Sequence, residues 1–99
     1  MAEKHILLRA VWSENWKRAY RALRADRQRS CDRAALALLR RESSPGLRVK
    51  PIQPEKFYFE ARIGSGDRIV FRVEADTVFF IDIVEHDDIV RYQRRPRPR

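Results

Sequence analysis

A stretch of patterned residues from Phe57 to Asp88 sets the strongest limit on how this chain can fold. Apolar and polar side chains alternate over residues 57–63 and again over 68–73, and residues 78–86 are apolar at nearly every position. Period-two alternation is typical of a strand with two different faces, whereas a continuous apolar run indicates a strand covered on both. The stretch therefore predicts a three-stranded antiparallel meander with two tight turns.

The pairing of these strands follows from parity, because a slip of one residue would turn a whole apolar face outwards. Loops of odd length bring the apolar sets together, so we expect loops at residues 65–67 and 74–76. One face is then apolar and contains Phe57, Phe59, Ala61, Ile63, Ile69, Phe71, Val73, Phe79, Ile81 and Ile83. The opposite, polar face contains Tyr58, Glu60, Arg62, Arg68, Arg72, Asp82 and His86, and it is the candidate functional surface.

The first half of the chain predicts a strand followed by two helices. Residues 5–12 are mostly apolar and form the strand, and Ser13 is a good N-cap for a helix over residues 14–25. The stripe that includes Trp16 and Tyr20 is interpreted as core rather than as a base-stacking platform. A second helix, from residue 26 or 27 to 42, places Cys31 in its buried stripe, so this cysteine is expected to be a core residue and not a nucleophile. The two helices should lie as an αα-hairpin on the apolar face of the sheet.

The length of 99 residues predicts one α+β domain over residues 1–92, followed by a basic and mobile tail over 93–99. A single cysteine cannot form an internal disulfide, which favours a reducing cytoplasm. No apolar run reaches the roughly 18–20 residues of a membrane span, and no signal peptide opens the chain, so no membrane partner is expected.

The net charge of +8 is unevenly distributed along the chain. Residues 1–50 carry a net +8, residues 51–90 a net −5, and residues 91–99 a net +5. An excess of this kind favours an anionic partner, either a nucleic acid or an acidic protein, although many of the arginines can simply solvate helix faces.

No cofactor or metal site is predicted. Glycine-rich phosphate loops, paired-cysteine zinc patterns and the nucleophile elbow are missing from the sequence. The run His86-Asp87-Asp88 offers metal-ligating groups, but neighbouring residues of a strand point to opposite faces, and no second His or Cys is close in sequence. Small-molecule cofactors are therefore not expected either.

Three short segments carry a resemblance to a known family. They are Pro45-Gly46-Leu47 before an extended segment, Glu60-Ala61-Arg62 leading through a turn to Asp67-Arg68-Ile69-Val70-Phe71, and Glu85-His86-Asp87 at the end of the last strand. Together with the order of elements, over roughly residues 5–92, the chain resembles the RelE/ParE superfamily of type II toxin–antitoxin toxins. The resemblance implies a strand, an αα-hairpin and a three-stranded antiparallel meander, with the helices on one sheet face.

The resemblance also implies a function. RelE-like members cleave mRNA on the ribosome without a metal, and their partner is a cognate acidic antitoxin. Arg62, Arg68 and His86 match family positions on the sheet, and Tyr92 falls near a family tyrosine. Neither Arg68 nor His86 is expected in the core.

The chemistry of RNA cleavage assigns roles to these residues. Cleavage at a ribose 2′-OH needs a phosphate clamp, an acid and a base. Arg62 and Arg68 can form the clamp, His86 can be the acid, and Glu60 can be the base. The candidate RNA-binding arginines are Arg72, Arg91, Arg94 and Arg95.

Three alternatives remain open on the sequence. The pairs Glu60–Arg72 and Arg68–Asp82 can be ordinary cross-strand ion pairs. The chain can be a ParE-like inhibitor that binds a protein such as DNA gyrase without catalysis. It can also be a general RNA-binding module, and the net positive charge is the only feature that favours this alternative.

Overall fold

The computed structural model describes residues 7–42, 46–54, 57–64 and 66–93. Parts of four predicted features lie outside these residues: the start of the first strand at residues 5–6, part of the Pro45-Gly46-Leu47 segment, loop residue 65 and the tail from residue 94. Arg94 and Arg95 lie in that tail.

One mixed sheet organises the described residues, and its strand order is β1-β5-β4-β3-β2. The meander β3–β4–β5 is antiparallel as predicted, whereas β1 runs parallel to β5 and makes the sheet mixed rather than purely antiparallel. The α+β prediction with a strand, an αα-hairpin and a meander is confirmed. In chain order the elements are β1 Arg9–Trp12, α1 Glu14–Ala22, α2 Ala25–Leu39, β2 Lys50–Pro51, β3 Phe59–Ile63, β4 Asp67–Glu74, β5 Thr77–Glu85, a 3-10 helix His86–Ile89 and α3 Val90–Gln93.

Ser13 joins the first strand to the first helix, as its capping chemistry predicts. Its Oγ accepts the backbone N–H of Trp16 at 3.0 Å, which satisfies one of the free donors at the start of α1. The same hydroxyl donates to the carbonyl of Ile81 on β5. The cap therefore fixes α1 against the sheet.

The helix hairpin packs on one sheet face, as predicted. Trp16 of α1 and Cys31 of α2 are buried together with Ala61 of β3 and Phe71 of β4. The remaining fully buried members of this cluster come from the same elements, from Leu47 and from β5: Ala34, Ala35, Leu47, Ile63, Ile69, Val78, Phe80 and Ile83.

The predicted face of β5 is wrong over half of the strand. Val78 and Phe80, not Phe79 and Ile81, point into the helix-side core, because the turn after Glu74 has two residues and not three. A β-bulge opposite Val70 and Phe71 then restores the predicted parity, so Ile83 faces the helices as expected. A bulge adds one residue to a strand and leaves no sequence signature in an apolar run.

From Phe59 onwards the first hairpin keeps its predicted faces but not its predicted partners, whereas Phe57, predicted on the helix side, packs on the opposite side of the sheet. Arg62 lies opposite Arg68 and Glu60 lies opposite Val70, which is a shift of two residues from the expected register. The parity argument survives because a shift of two leaves every side chain on the same face.

The opposite sheet face, called the far face below, is only partly polar. A second apolar cluster covers its middle, because the chain after β5 folds back over the sheet and packs Ile89 and Tyr92 against Tyr58 and Val84. Ile52 and Val70 complete the buried members of this cluster. Glu60 and Asp82, which flank Val70 in the sheet, are buried with this cluster.

Among the described residues, no helix combines the length and the apolar character that a membrane span requires.

Candidate functional site

Glu60 and Arg68 form an ion pair on the far face, beside the β3–β4 turn. The Nε of Arg68 lies 3.4 Å from Oε1 of Glu60, and their side chains are only 12% and 8% exposed. The sequence predicts other pairs, Glu60 with Arg72 and Arg68 with Asp82, and both are wrong because the strands pair in a different register. The Arg68 side chain is mostly covered by its surroundings but belongs to neither apolar cluster of the described residues.

His86 contacts Arg68, the cation of this pair, from the exposed side. It opens the 3-10 helix and is exposed, and its backbone N–H donates to the carbonyl of Gly66 at 2.8 Å. Nη2 of Arg68 lies 2.9 Å from Nδ1 of the imidazole. A guanidinium can only donate, so Nδ1 is the acceptor and a neutral ring carries its proton on Nε2. The series Glu60–Arg68–His86 is called the site triad below.

Arg62 is the direct cross-strand neighbour of Arg68, so both side chains leave their strands on the far face. Its Nε donates to the carbonyl of Gly64 at 3.2 Å. No carboxylate among the described residues lies within ion-pair distance of Arg62, whereas Arg68 is partly neutralised by Glu60. The two arginines proposed as a clamp are thus direct neighbours in the sheet, and of the two only Arg68 has a carboxylate partner among the described residues.

Arg72 is on the same face but is held away from the triad. Its Nε donates to Glu74 at 2.9 Å and its Nη1 to the carbonyl of Phe57 at 3.0 Å, and the guanidinium lies 3.8 Å from the centre of the Phe57 ring. Arg91 is exposed on α3. The RNA-binding role predicted for these two arginines stays a prediction.

Tyr92 lies in the interior, not on an open surface. It is 4% exposed, and its hydroxyl donates to Oδ2 of Asp82 at 2.6 Å, while Oδ1 accepts the backbone N–H of Ile83. The buried carboxylate of Asp82 is therefore satisfied by hydrogen bonds from Tyr92 and the backbone. This position fixes the C-terminal segment to the sheet.

The sequence reasoning missed one polar contact beside the triad. Nε of Arg27, on α2, donates to Oδ2 of Asp67 at 2.8 Å, and its Nη2 donates to Oδ1, so the contact is bidentate. Hydrogen bonding to Asp67 is the main cause that raises the pKa of Arg27. The pair ties α2 to the strand that carries Arg68. The two residues are 40 positions apart, so no local pattern could have revealed it.

Cys31 is a core residue, as the sequence predicts. It is 0% exposed, and burial raises the pKa of its thiol to about 12. A thiol in this state is not a nucleophile near neutral pH. Among the described residues no three His, Cys, Asp or Glu side chains are grouped as a metal site would require.

The backbone arrangement is shared with several solved toxins. The chain aligns with the toxin–antitoxin complex RelBE2 from Mycobacterium tuberculosis at a TM-score of 0.66 and 21% identity, covering 82% of this chain and 100% of that one. It aligns with the Escherichia coli DinJ–YafQ toxin–antitoxin complex at a TM-score of 0.71 and 11% identity, covering 84% and 97%. This chain has the RelE-like toxin fold.

A third solved structure with a similar backbone is a copper-bound mutant toxin from Helicobacter pylori. It matches at a TM-score of 0.69 and 13% identity, and the alignment covers 83% of this chain and 98% of that one. No protein-family model matches the chain. No curated protein matches it by sequence. The likeness therefore concerns the RelE-like fold, and the activity must be argued from the side chains.

Proposed function

We propose that this protein is the toxin of a type II toxin–antitoxin system and that it cleaves mRNA on the ribosome without a metal. The observation that carries the proposal is the contact between Arg68 and His86 on the far face of a RelE-like fold. It places a fixed cation beside an exposed imidazole, and cleavage at a 2′-OH needs both a phosphate clamp and a proton donor.

In the proposed reaction each member of the site triad has one task. Arg68 and Arg62 stabilise the charge that develops on the phosphate. To act as the acid, His86 must first bind a second proton at Nδ1, which opens its contact with Arg68. The imidazolium then gives the proton on Nε2 to the leaving 5′-oxygen as the bond from phosphorus to that oxygen breaks. The sequence predicts Glu60 as the base, but its carboxylate is buried against Arg68, so we assign it to holding that guanidinium in place. The 2′-OH proton then passes to a water molecule as the 2′-oxygen forms its bond to phosphorus.

Tyr92 has a structural role in this proposal. Its hydroxyl is engaged with Asp82 in the interior, so it does not face a substrate on the far face. We therefore place it outside the catalytic set that the sequence resemblance implies.

The proposed partner is an acidic antitoxin, and the edge of the sheet at β1 offers a surface for it. Val11 and Trp12 are exposed there although both are large and apolar. A groove of about 340 Å³ adjoins them, lined by Trp12, Trp16, Lys17, Tyr20, Arg21, Asp32 and Ala35. We propose that an amphipathic segment of the antitoxin sets its apolar side in this groove and its acidic side against Lys17 and Arg21.

The decisive test is a cleavage assay on translating ribosomes. His86→Ala should lower the cleavage rate by about 10²–10⁴ through loss of the proton donor, with the melting temperature unchanged because the side chain is exposed. Arg18→Ala, an exposed arginine of α1, is the matched control and should cleave normally. Full activity of folded His86→Ala would refute the ribonuclease proposal.

The second candidate is a ParE-like inhibitor that binds a protein target such as DNA gyrase. The observation in its favour is that Glu60 neutralises one of the two clamp cations and keeps it mostly buried. If purified wild-type protein leaves mRNA intact on ribosomes but inhibits DNA supercoiling, this candidate replaces the first.

A further inference from the structure

We infer that a groove between α2 and the β3–β4 turn binds the sugar–phosphate backbone of single-stranded RNA. Two adjoining depressions form it, of about 580 Å³ and 350 Å³, and they share Ser30, Arg33, Ile63 and Gly64 in their walls. The inference rests on the proposed function for its ligand class. It extends the site beyond the triad to a helix that sequence reasoning assigned only to packing and solvation.

Three cations line this groove without an acidic partner. Arg29 and Arg33 lie on α2, and Arg62 lies on β3 beside the site triad. None of the three makes an ion pair with a carboxylate of the described residues. Within the described part of the chain, the Arg33 side chain donates to Ser30 Oγ at 3.3 Å, and the Arg62 side chain donates to the carbonyl of Gly64.

The acidic groups of the groove are already neutralised. Asp67 is held in the bidentate contact with Arg27, and Asp26 lies 3.9 Å from Arg24. The groove therefore offers a net positive surface. Positive charge that is not used within the fold attracts phosphates and steers their approach.

The chemistry of the walls favours a phosphate backbone over a protein segment. Protein interfaces depend on buried aromatic or large apolar anchors, and no aromatic side chain lines this groove. Two of its wall residues, Gly64 and Gly66, have open space where a side chain would begin, so a ligand can approach the main chain. Guanidinium groups suit phosphates because their planar donors bind two oxygens at once.

Arg62 connects the groove to the proposed reaction centre. It lines the groove on one side and is the cross-strand neighbour of Arg68 on the other. A strand whose scissile phosphate lies at Arg68 and His86 would thus continue over Arg62 towards Arg33 and Arg29. These α2 arginines would position the RNA and take no part in the chemical step.

The test measures RNA binding separately from cleavage. The full-length chain is titrated with a fluorescent ten-nucleotide RNA whose 2′-hydroxyls are all methylated, so that no 2′-OH can attack, and the affinity is measured at several salt concentrations. The groove variant is Arg29→Ala with Arg33→Ala. The control variant, Arg18→Ala with Arg40→Ala, removes the same charge from exposed positions outside the groove.

For single-stranded nucleic acids, the plot of log binding constant against log salt concentration has a slope of about −0.7 per phosphate contact. Loss of two contacts in the groove variant should therefore make the slope less steep by about 1.4. The control should keep the wild-type slope. Equal flattening in both variants would show a diffuse charge effect and overturn the inference, as would an unchanged groove variant. If the groove variant keeps its RNA slope but no longer binds a fluorescent poly-glutamate peptide, the groove is a protein site and the inference fails. Because this RNA cannot be cleaved, the experiment can confirm RNA binding in the groove even if the protein has no ribonuclease activity.

Discussion

Replacing Arg68 by alanine tests whether the ion pair between Glu60 and Arg68 stabilises the fold. The variant leaves the Glu60 carboxylate, 8% exposed, without its counter-charge. Two unit charges 3.4 Å apart attract by about 5 kcal/mol at an effective dielectric constant of about 20. Removing one partner of a buried pair usually costs about 3–5 kcal/mol, and we expect a loss in this range.

Urea denaturation gives this free energy of unfolding directly. In a domain of this size each kcal/mol shifts the melting temperature by about 4–8 °C, so Arg68→Ala should lower it by at least about 12 °C. Arg68→Lys, which keeps the charge, is the control and should lose less stability. In the background of Arg68→Ala, Glu60→Gln should restore stability, with a coupling energy of about 0.5–3 kcal/mol between the two sites.

Two results would refute this reasoning. A cost below about 1 kcal/mol for Arg68→Ala would show that water solvates Glu60 freely. Strict additivity of the Glu60 and Arg68 changes would show that the ion pair contributes nothing. A loss of cleavage in Arg68→Ala has to be corrected for its unfolded fraction, which is why His86→Ala is the cleaner test of catalysis.

Three further predictions concern the interior. Tyr92→Phe removes one hydrogen bond from buried Asp82 and should cost about 1–3 kcal/mol in urea while folded protein keeps its cleavage activity; an inactive but stable variant would return Tyr92 to the catalytic set. Cys31 should resist iodoacetamide at pH 8 in the native protein and react in urea, because burial raises its pKa to about 12; rapid native labelling would contradict its burial. Phe71→Ala should cost about 3–5 kcal/mol by calorimetry, with Val73→Ala, exposed at the end of the same face, as the control; equal losses would contradict the burial of Phe71.

The sequence predicted the α+β layers because the patterns involved are strong and local. Alternation over β3 and β4, the cap at Ser13 and the apolar stripe of α2 each depend on neighbours within a few residues. Parity assigned Glu60, Arg62, Arg68 and Arg72 to one face even though their partners were wrong. The sheet face of a side chain depends only on whether its position in the strand is odd or even, whereas its cross-strand partner depends on the length of the turn.

The features that the sequence could not predict depend on distant contacts. The two-residue turn after Glu74 inverts the faces of Phe79 and Phe80 inside a run that is apolar throughout, and the bulge in β5 restores the predicted face only by Ile83. The burial of Tyr92 depends on the C-terminal segment folding back onto the sheet. The Arg68–His86 contact follows from the position of the 3-10 helix, which residue types alone do not determine.

The parallel pairing of β1 with β5 sets an order of events during synthesis. Residues 9–12 find their partners only at residues 77–80, and Trp12 stacks on Phe80 with ring centres 4.2 Å apart. Until the ribosome has released residue 80, the indole rings of Trp12 and Trp16 lack the phenyl ring that completes their cluster. The emerging chain can form α1 and α2 early, but its sheet can close only when the last strand arrives. A ribosome that stalls within β4 would therefore hold a chain in which the proposed partner groove has not yet formed.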